Sequence, residues 1–467
     1  MAGIMSSYLF RGILMNLRFT QFLKTFSSFE DRIEKLSDVI NYGRLVSING
    51  LVLKVVGLKM PIGSECFIER KIDGKNTNIS AEVIGFSGEK TLLLSYEEIN
   101  GVFPGARVFA QLGNNADCII KKMPLSTELL GRVLDGRGQP LDQLPKIDRK
   151  YYTTIKNYTI NPLNRTPITQ VLDTGIRAIN GLLTIGRGQK IGIFSSSGLG
   201  KSILLGMIAR YTQADVIIIA LIGERGREVK DFIENILGVK GLSRSVVIAA
   251  PADVSPLLKI QAASYATNIA EYFYRSNKHV LLIMDSLTRY AMAQREIALS
   301  LGELPISKGY PSSIFSIIPN LLERTGRTNK NKASITSFYT VLTEGEDEQD
   351  PVSHLARSVL DGHIILSRYY ADLGHYPAID IESSISRVMP NIVNSKQHYQ
   401  AFYFKKLVSS YQRNRDLINI GAYISGTDLV LDHAIKIWPQ LEKFLQQKIS
   451  EKSDYVFSCQ ELNKIFL

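Results

Sequence analysis

The chain has 467 residues, enough for two to four domains at roughly 100–200 residues each. Hydrophobic residues make up 45% and charged residues 21%, which excludes a disordered chain and supplies a large core. The net charge of +11 suits an anionic partner or compositional drift, but lysines and arginines are scattered, which excludes a dedicated nucleic-acid stripe.

Residues 1–40 read as a partner-docking segment. Tyr8 to Leu23 is apolar but interrupted by Arg11 and Arg18, and no small-residue cleavage site follows. That pattern predicts a basic amphipathic helix rather than a secretory signal. Met15 is an alternative start.

Residues 41–118 alternate apolar and polar side chains in short runs at 44–56, 78–84, 91–96 and 106–112, with Gly and Asn between them. Period two with regular turns predicts a small β-barrel. Residues 119–167 hold Gly131 to Pro140 and Asn161 to Pro167, a Pro/Gly-rich stretch that reads as a linker.

From 168 to 394 nearly unbroken apolar runs at 190–194, 215–222, 245–250 and 279–284 alternate with helical stretches. Such runs suit strands buried on both faces of a mainly parallel sheet, so this is an α/β P-loop domain. Residues 395–467 predict a helical domain, with a helix over 434–448 despite Pro439. Cys66, Cys118 and Cys459 form no CxxC pair and the six histidines form no HExxH. Neither a disulfide framework nor a zinc site is expected. No apolar run approaches about 18 residues, so no spanning helix is expected.

The chemistry concentrates at Ser195-Ser196-Ser197-Gly198-Leu199-Gly200-Lys201-Ser202, between an apolar strand and a helix. Strand, glycine loop and helix in that order form a phosphate-binding loop. Glycines let backbone amides curl around phosphate oxygens, and the helix dipole favours the anion. Lys201 is expected on the β/γ-phosphates of ATP and the Ser202 hydroxyl on Mg²⁺. The strict pattern wants glycine where Ser195 stands. Asp285 ends an apolar strand, where a carboxylate faces the ligand crevice and orients Mg²⁺; a helix N-cap before Ser286 is the bland alternative.

 Asp285 would reach the ion through water. Glu224 follows the next strand, 23 residues after Lys201, where a carboxylate can polarise an attacking water. Arg225 beside it can contact phosphate. Glu228 lies in the same charged loop, and spacing alone does not choose between the two glutamates.

Several segments together resemble the flagellum-specific ATPase family, relatives of the rotary ATP synthase catalytic subunit. They are Ile222-Gly-Glu-Arg-Gly-Arg-Glu, Asp285-Ser-Leu-Thr-Arg-Tyr, Gly309-Tyr-Pro-Ser-Ser, Tyr376-Pro-Ala-Ile-Asp and Ser386-Arg-Val-Met-Pro. The resemblance runs from about residue 30 to the end of the chain. It implies Glu224 as catalytic base, Arg225 on phosphate, Tyr376 stacked on adenine, and Arg387 as an arginine finger reaching a neighbouring subunit. It also implies a homohexamer, a stator protein at the N-terminus, a stalk protein at the pore, chaperone–substrate complexes and a membrane export gate. The expected place is the cytoplasm, at the inner face of the membrane. The alternatives are an injectisome ATPase, a rotary synthase subunit, an RNA translocase and a non-enzymatic nucleotide-binding subunit. Residues 43–115 lack the aromatic cluster an RNA-reading barrel needs, and Lys201, Glu224 and Asp285 together argue for hydrolysis.

Overall fold

The computed structural model describes residues 42–110, 122–154, 160–328, 333–343 and 350–467. The expected docking segment and Cys118 lie outside the described residues.

Six strands close a barrel: β1 (Tyr42–Asn49), β2 (Val52–Val56), β3 (Glu65–Ile72), β4 (Lys75–Ser87), β5 (Lys90–Ser95) and β6 (Arg107–Ala110), in the order β1-β2-β5-β4-β3-β6. The run at 44–56 folds back on itself at Gly50 and gives two strands. β3 is an addition to the expected runs. Its inward Cys66 and Ile68 are buried, but the charged Glu69, Arg70 and Lys71 after them mask the alternation in sequence.

The larger sheet takes β7 (Val133–Leu134), β8 (Lys190–Ser195), β9 (Val216–Ile222), β10 (Ser245–Ala250), β11 (Val280–Asp285), β12 (Ile335–Leu342), β13 (Gly362–Leu366) and β14 (Ile379–Ser386). Its order is β14-β13-β8-β12-β11-β9-β10-β7. All neighbours are parallel except β13 and β14. β9 shows why its sequence is unbroken. Ile217, Ile219 and Leu221 enter one apolar cluster, while Val216, Ile218, Ala220 and Ile222 enter another on the opposite face. β7 comes from the stretch read as a linker. It pairs Val133 with Val247 and Leu134 with Ile248, and so extends the sheet at its edge.

Helices α1 (Lys201–Tyr211), α2 (Pro256–Arg275) and α3 (Leu287–Ser300) follow β8, β10 and β11. The barrel rests on α2 and α3 through a small apolar cluster of Val52, Leu94, Tyr96, Leu257 and Ile297. Gln261 of α2 donates its Nε2 proton to the Tyr96 hydroxyl at 2.8 Å.

The C-terminal helices are α4 (Ser395–Arg413), α5 (Leu429–Leu445) and α6 (Tyr455–Ile465). α5 runs through Pro439, as expected, although proline removes one helical hydrogen bond. Its buried stripe of Leu431, Ala434, Ile437, Leu441 and Phe444 outweighs that loss. It stops at Leu445 rather than 448, so Gln446 to Lys448 leave the helix. Phe404 of α4 is fully buried and meets Phe444 with ring centroids 5.5 Å apart. Phe404→Ala is expected to cost about 3–5 kcal/mol, read as an earlier urea transition. Among the described residues, no helix is long and apolar enough to cross a membrane.

Candidate active site

β8 delivers the chain to the centre of the sheet's carboxyl edge, and the loop after it turns directly into α1. Gly200 precedes α1 with φ +81°, and a Cβ there would stand 3.3 Å from a Tyr376 ring carbon. Backbone conformation and close approach both require glycine at that point. Buried Leu199 anchors the loop from below. The start of α1 presents amide groups that no helix can satisfy internally. Together they make an anion cradle.

Three charged side chains converge beside this cradle. Lys201 Nζ donates to Glu224 Oε1 at 2.9 Å and to Asp285 Oδ1 at 2.5 Å. Asp285, at the carboxyl end of β11, also accepts from Thr340 Oγ1 at 2.7 Å. Burial pulls the Lys201 ammonium down, but the two carboxylates outweigh it and hold it above its ordinary value. Burial raises the Asp285 carboxyl, which Lys201 opposes and the Glu224 charge reinforces. One ammonium between two carboxylates leaves a net charge of about −1.

That excess suits a further cation. The hydroxyl of Ser202 and the carboxylate of Asp285 are hard oxygen donors of the kind Mg²⁺ takes. Ser202 lies in the first turn of α1, beside Lys201 on the cavity wall.

The two glutamates left open by spacing stand in different surroundings. The Glu224 side chain is 18% exposed and bonded to Lys201. Glu228 is 53% exposed and pairs with Arg225 at 4.0 Å. Arg225 itself is 85% exposed and lines the cavity.

The cavity has a volume of about 1500 Å³, and Ser196 to Ser202, Glu224, Arg225 and Tyr376 all line it. Ser195 does not. It is the last residue of β8, and its hydroxyl is buried with no hydrogen-bond partner among the described residues. Its carbonyl accepts from Thr343 N at 3.0 Å. The sheet thus holds Ser195 at the end of β8, where the loop begins.

Arg387 is not on this cavity. It follows Ser386, which pairs with Gly362 at the beginning of β13. β13 runs parallel to β8, so Arg387 stands at the amino end of the strands, opposite the phosphate loop. It is exposed, and its Nη2 donates to the Arg357 carbonyl at 3.2 Å.

Two contributors escape the sequence reading. Arg289 lines the cavity from the first turn of α3, four residues after Asp285. A Cβ on Gly223 would lie 2.8 Å from Arg289 Cβ, so the two elements meet closely there. Its place in the first turn of the helix that follows Asp285 is the signal that would have found it. The second is the stretch from Gln446 to Glu451, which walls the cavity opposite the loop. Nothing in its polar sequence announces that role.

Residues 175–386 match the family model described as ATP synthase alpha/beta family, nucleotide-binding domain. Residues 393–464 match the T3SS EscN ATPase C-terminal domain. The flagellum-specific ATP synthase of Buchnera aphidicola subsp. Acyrthosiphon pisum (strain APS) is 86% identical over 467 residues, all of both chains. That of Salmonella typhimurium (strain LT2) is 56% identical, over 97% of this chain and 99% of the other. Among solved structures, the assembled ATPase EscN from the enteropathogenic E. coli type III secretion system superposes with a TM-score of 0.83 at 40% identity. It covers 91% of this chain and 100% of that one. EscN in complex with its central stalk EscO gives a TM-score of 0.81 at the same identity, with 91% and 100% covered.

Proposed function

The chain belongs to the flagellum-specific ATP synthase family, and from that membership and the site's geometry we propose that it hydrolyses ATP to power export of flagellar proteins by a type III secretion apparatus. The observation that carries the reading is the Lys201–Glu224–Asp285 cluster at the foot of the phosphate cradle. A cradle alone binds nucleotide. A carboxylate held beside it, on the lysine that a phosphate would claim, adds a base.

The residues divide the work as follows. The loop amides from Ser196 to Ser202 hold the phosphates. Lys201 leaves its two carboxylates for the more highly charged β- and γ-phosphates. Glu224, so released, orients and polarises the attacking water. Ser202 and Asp285 would hold Mg²⁺, which supplies neutralisation of charge on the transferred phosphoryl group. Arg225 contacts phosphate from the rim, and the Tyr376 ring stacks on adenine. Arg387 completes the site of the next subunit in a homohexamer.

Around this engine we place the remaining partners. A stator protein binds the N-terminal segment and a stalk protein enters the pore. Chaperone–substrate complexes are unloaded and passed to a membrane export gate, while the ring stays cytoplasmic and peripheral to the membrane. Nucleic acid is not a partner.

Glu224→Gln is expected to lower kcat by about 10²–10⁴ while fluorescent ADP still binds. Glu228→Gln is expected to turn over normally, and the opposite pattern would assign the base to Glu228. For the biological role, this chain should restore swimming to a Salmonella strain lacking its own flagellum-specific ATPase, and its Glu224→Gln variant should not. Restoration of an injectisome but not of the flagellum would move the chain to the virulence branch.

A further inference from the structure

We infer that Gln447 is a positioning residue for nucleotide binding: it clamps the C-terminal helical domain to the wall of the cavity that carries Tyr376. The inference rests on the proposed role of Tyr376.

Gln447 lies just beyond the end of α5, where the helix gives way to extended chain. It is only 6% exposed, although it borders the cavity. A polar side chain so buried must have its hydrogen bonds met, and every polar group of this one is used. Its Oε1 accepts from the Arg177 amide at 2.7 Å. Its Nε2 donates to the Gly175 carbonyl at 2.9 Å and to the Glu451 carbonyl at 2.8 Å. Its own amide donates to the Tyr376 carbonyl at 3.0 Å.

Four hydrogen bonds from one residue therefore join three separate stretches. Gly175 and Arg177 begin the nucleotide-binding domain, Tyr376 sits against Gly200 of the cradle, and Glu451 closes the C-terminal wall. Arg177 reinforces the joint, because its guanidinium pairs with the Glu451 carboxylate and donates to the Lys443 carbonyl at 3.2 Å. Tyr376 is 43% exposed, and the chain on either side of it is pinned by backbone bonds, His375 N to the Tyr370 carbonyl at 2.9 Å and Ser367 N to the Ala378 carbonyl at 2.8 Å. The Tyr376 carbonyl is tied to the C-terminal wall by the Gln447 main-chain amide, and the buried Gln447 side chain holds that amide in place through Arg177, Gly175 and Glu451. Gln447 touches no phosphate-binding group, so its influence should appear in nucleotide affinity rather than in the chemical step.

The test is steady-state ATPase kinetics on the full-length assembled protein. Gln447→Ala should raise KM for ATP about tenfold and leave kcat within about twofold, the loss of one to two hydrogen bonds' worth of ordering. Gln447→Met, which fills the same volume without the polar groups, should do the same and guards against collapse of the alanine variant. A merely structural role would lower the active fraction, hence kcat, and leave KM alone. Tyr376→Ala should also raise KM. Adding Gln447→Ala to it should change KM by less than about twofold, because residues acting through one another are not additive. An unchanged KM in both Gln447 variants overturns the inference, and so does full additivity with Tyr376→Ala. If Tyr376→Ala alone leaves KM unchanged, the stacking role itself falls and the clamp with it, while hydrolysis through Lys201 and Glu224 stands.

Discussion

Lys201→Ala is expected to lower ATP turnover by about 10²–10³-fold, the range seen when a preorganised transition-state contact is removed. The substitution does more than delete a phosphate contact. It leaves Glu224 and the fully buried Asp285 facing each other without their shared cation. Breaking a buried ion pair from one side costs about 3–5 kcal/mol. That cost has a pH signature. In the wild-type chain Lys201 opposes the rise that burial imposes on the Asp285 carboxyl. Without it, burial and the Glu224 charge act unopposed by any cation, and the Asp285 carboxyl rises further. A carboxyl whose folded value exceeds its unfolded value is no burden below the unfolded value, and stability is lost as pH rises through the folded one. The variant should therefore melt closest to wild type at acid pH and fall progressively behind it as the pH rises. Differential scanning fluorimetry across that range checks it. Activity close to wild type would remove the phosphate-loop assignment, and a pH-independent deficit would remove the coupling to Asp285.

Arg387→Ala is expected to assemble normally yet turn over about 10³–10⁵ times more slowly, the usual worth of an arginine finger. The placement of Arg387 at the strand end opposite the loop makes a sharper test available. A finger that serves its neighbour can be restored by a neighbour. Lys201→Ala subunits have intact fingers, and Arg387→Ala subunits have intact loops. Co-assembled in equal amounts, about a quarter of the interfaces of a head-to-tail ring pair one with the other. Two inactive proteins should thus give an active mixture. Continued inactivity after verified co-assembly would return Arg387 to a structural role.

How much of this was legible beforehand depended on how loudly each residue speaks in sequence. β9 is visible because both faces are buried and seven consecutive positions are apolar. Lys201 and Ser202 are visible because a glycine loop between strand and helix is rare. β7 is not, since two residues have no period and pair with β10 only in three dimensions. The charged second half of β3 hides a strand whose first half packs the barrel. Glu224 and Glu228 are equal in sequence, and only the fold shows one buried against Lys201 and the other in solvent. Gln447 is the extreme case. It is a glutamine after a glutamine at a helix end, and its proposed role rests on four partners spread from residue 175 to residue 451.

The position of Arg387 bears also on what dilution does. If Arg387 is the finger proposed above, a chain whose loop stands at one end of the strands and whose finger stands at the other does not hold a whole site by itself. On this reading, the specific activity should fall steeply as protein is diluted below the point where subunits separate, far more than in proportion to binding of ATP. Newly made chains, still unassembled, would then leave the cell's ATP untouched. The split site would act as a safety catch, with hydrolysis beginning only where enough copies have been gathered in one place to close the ring.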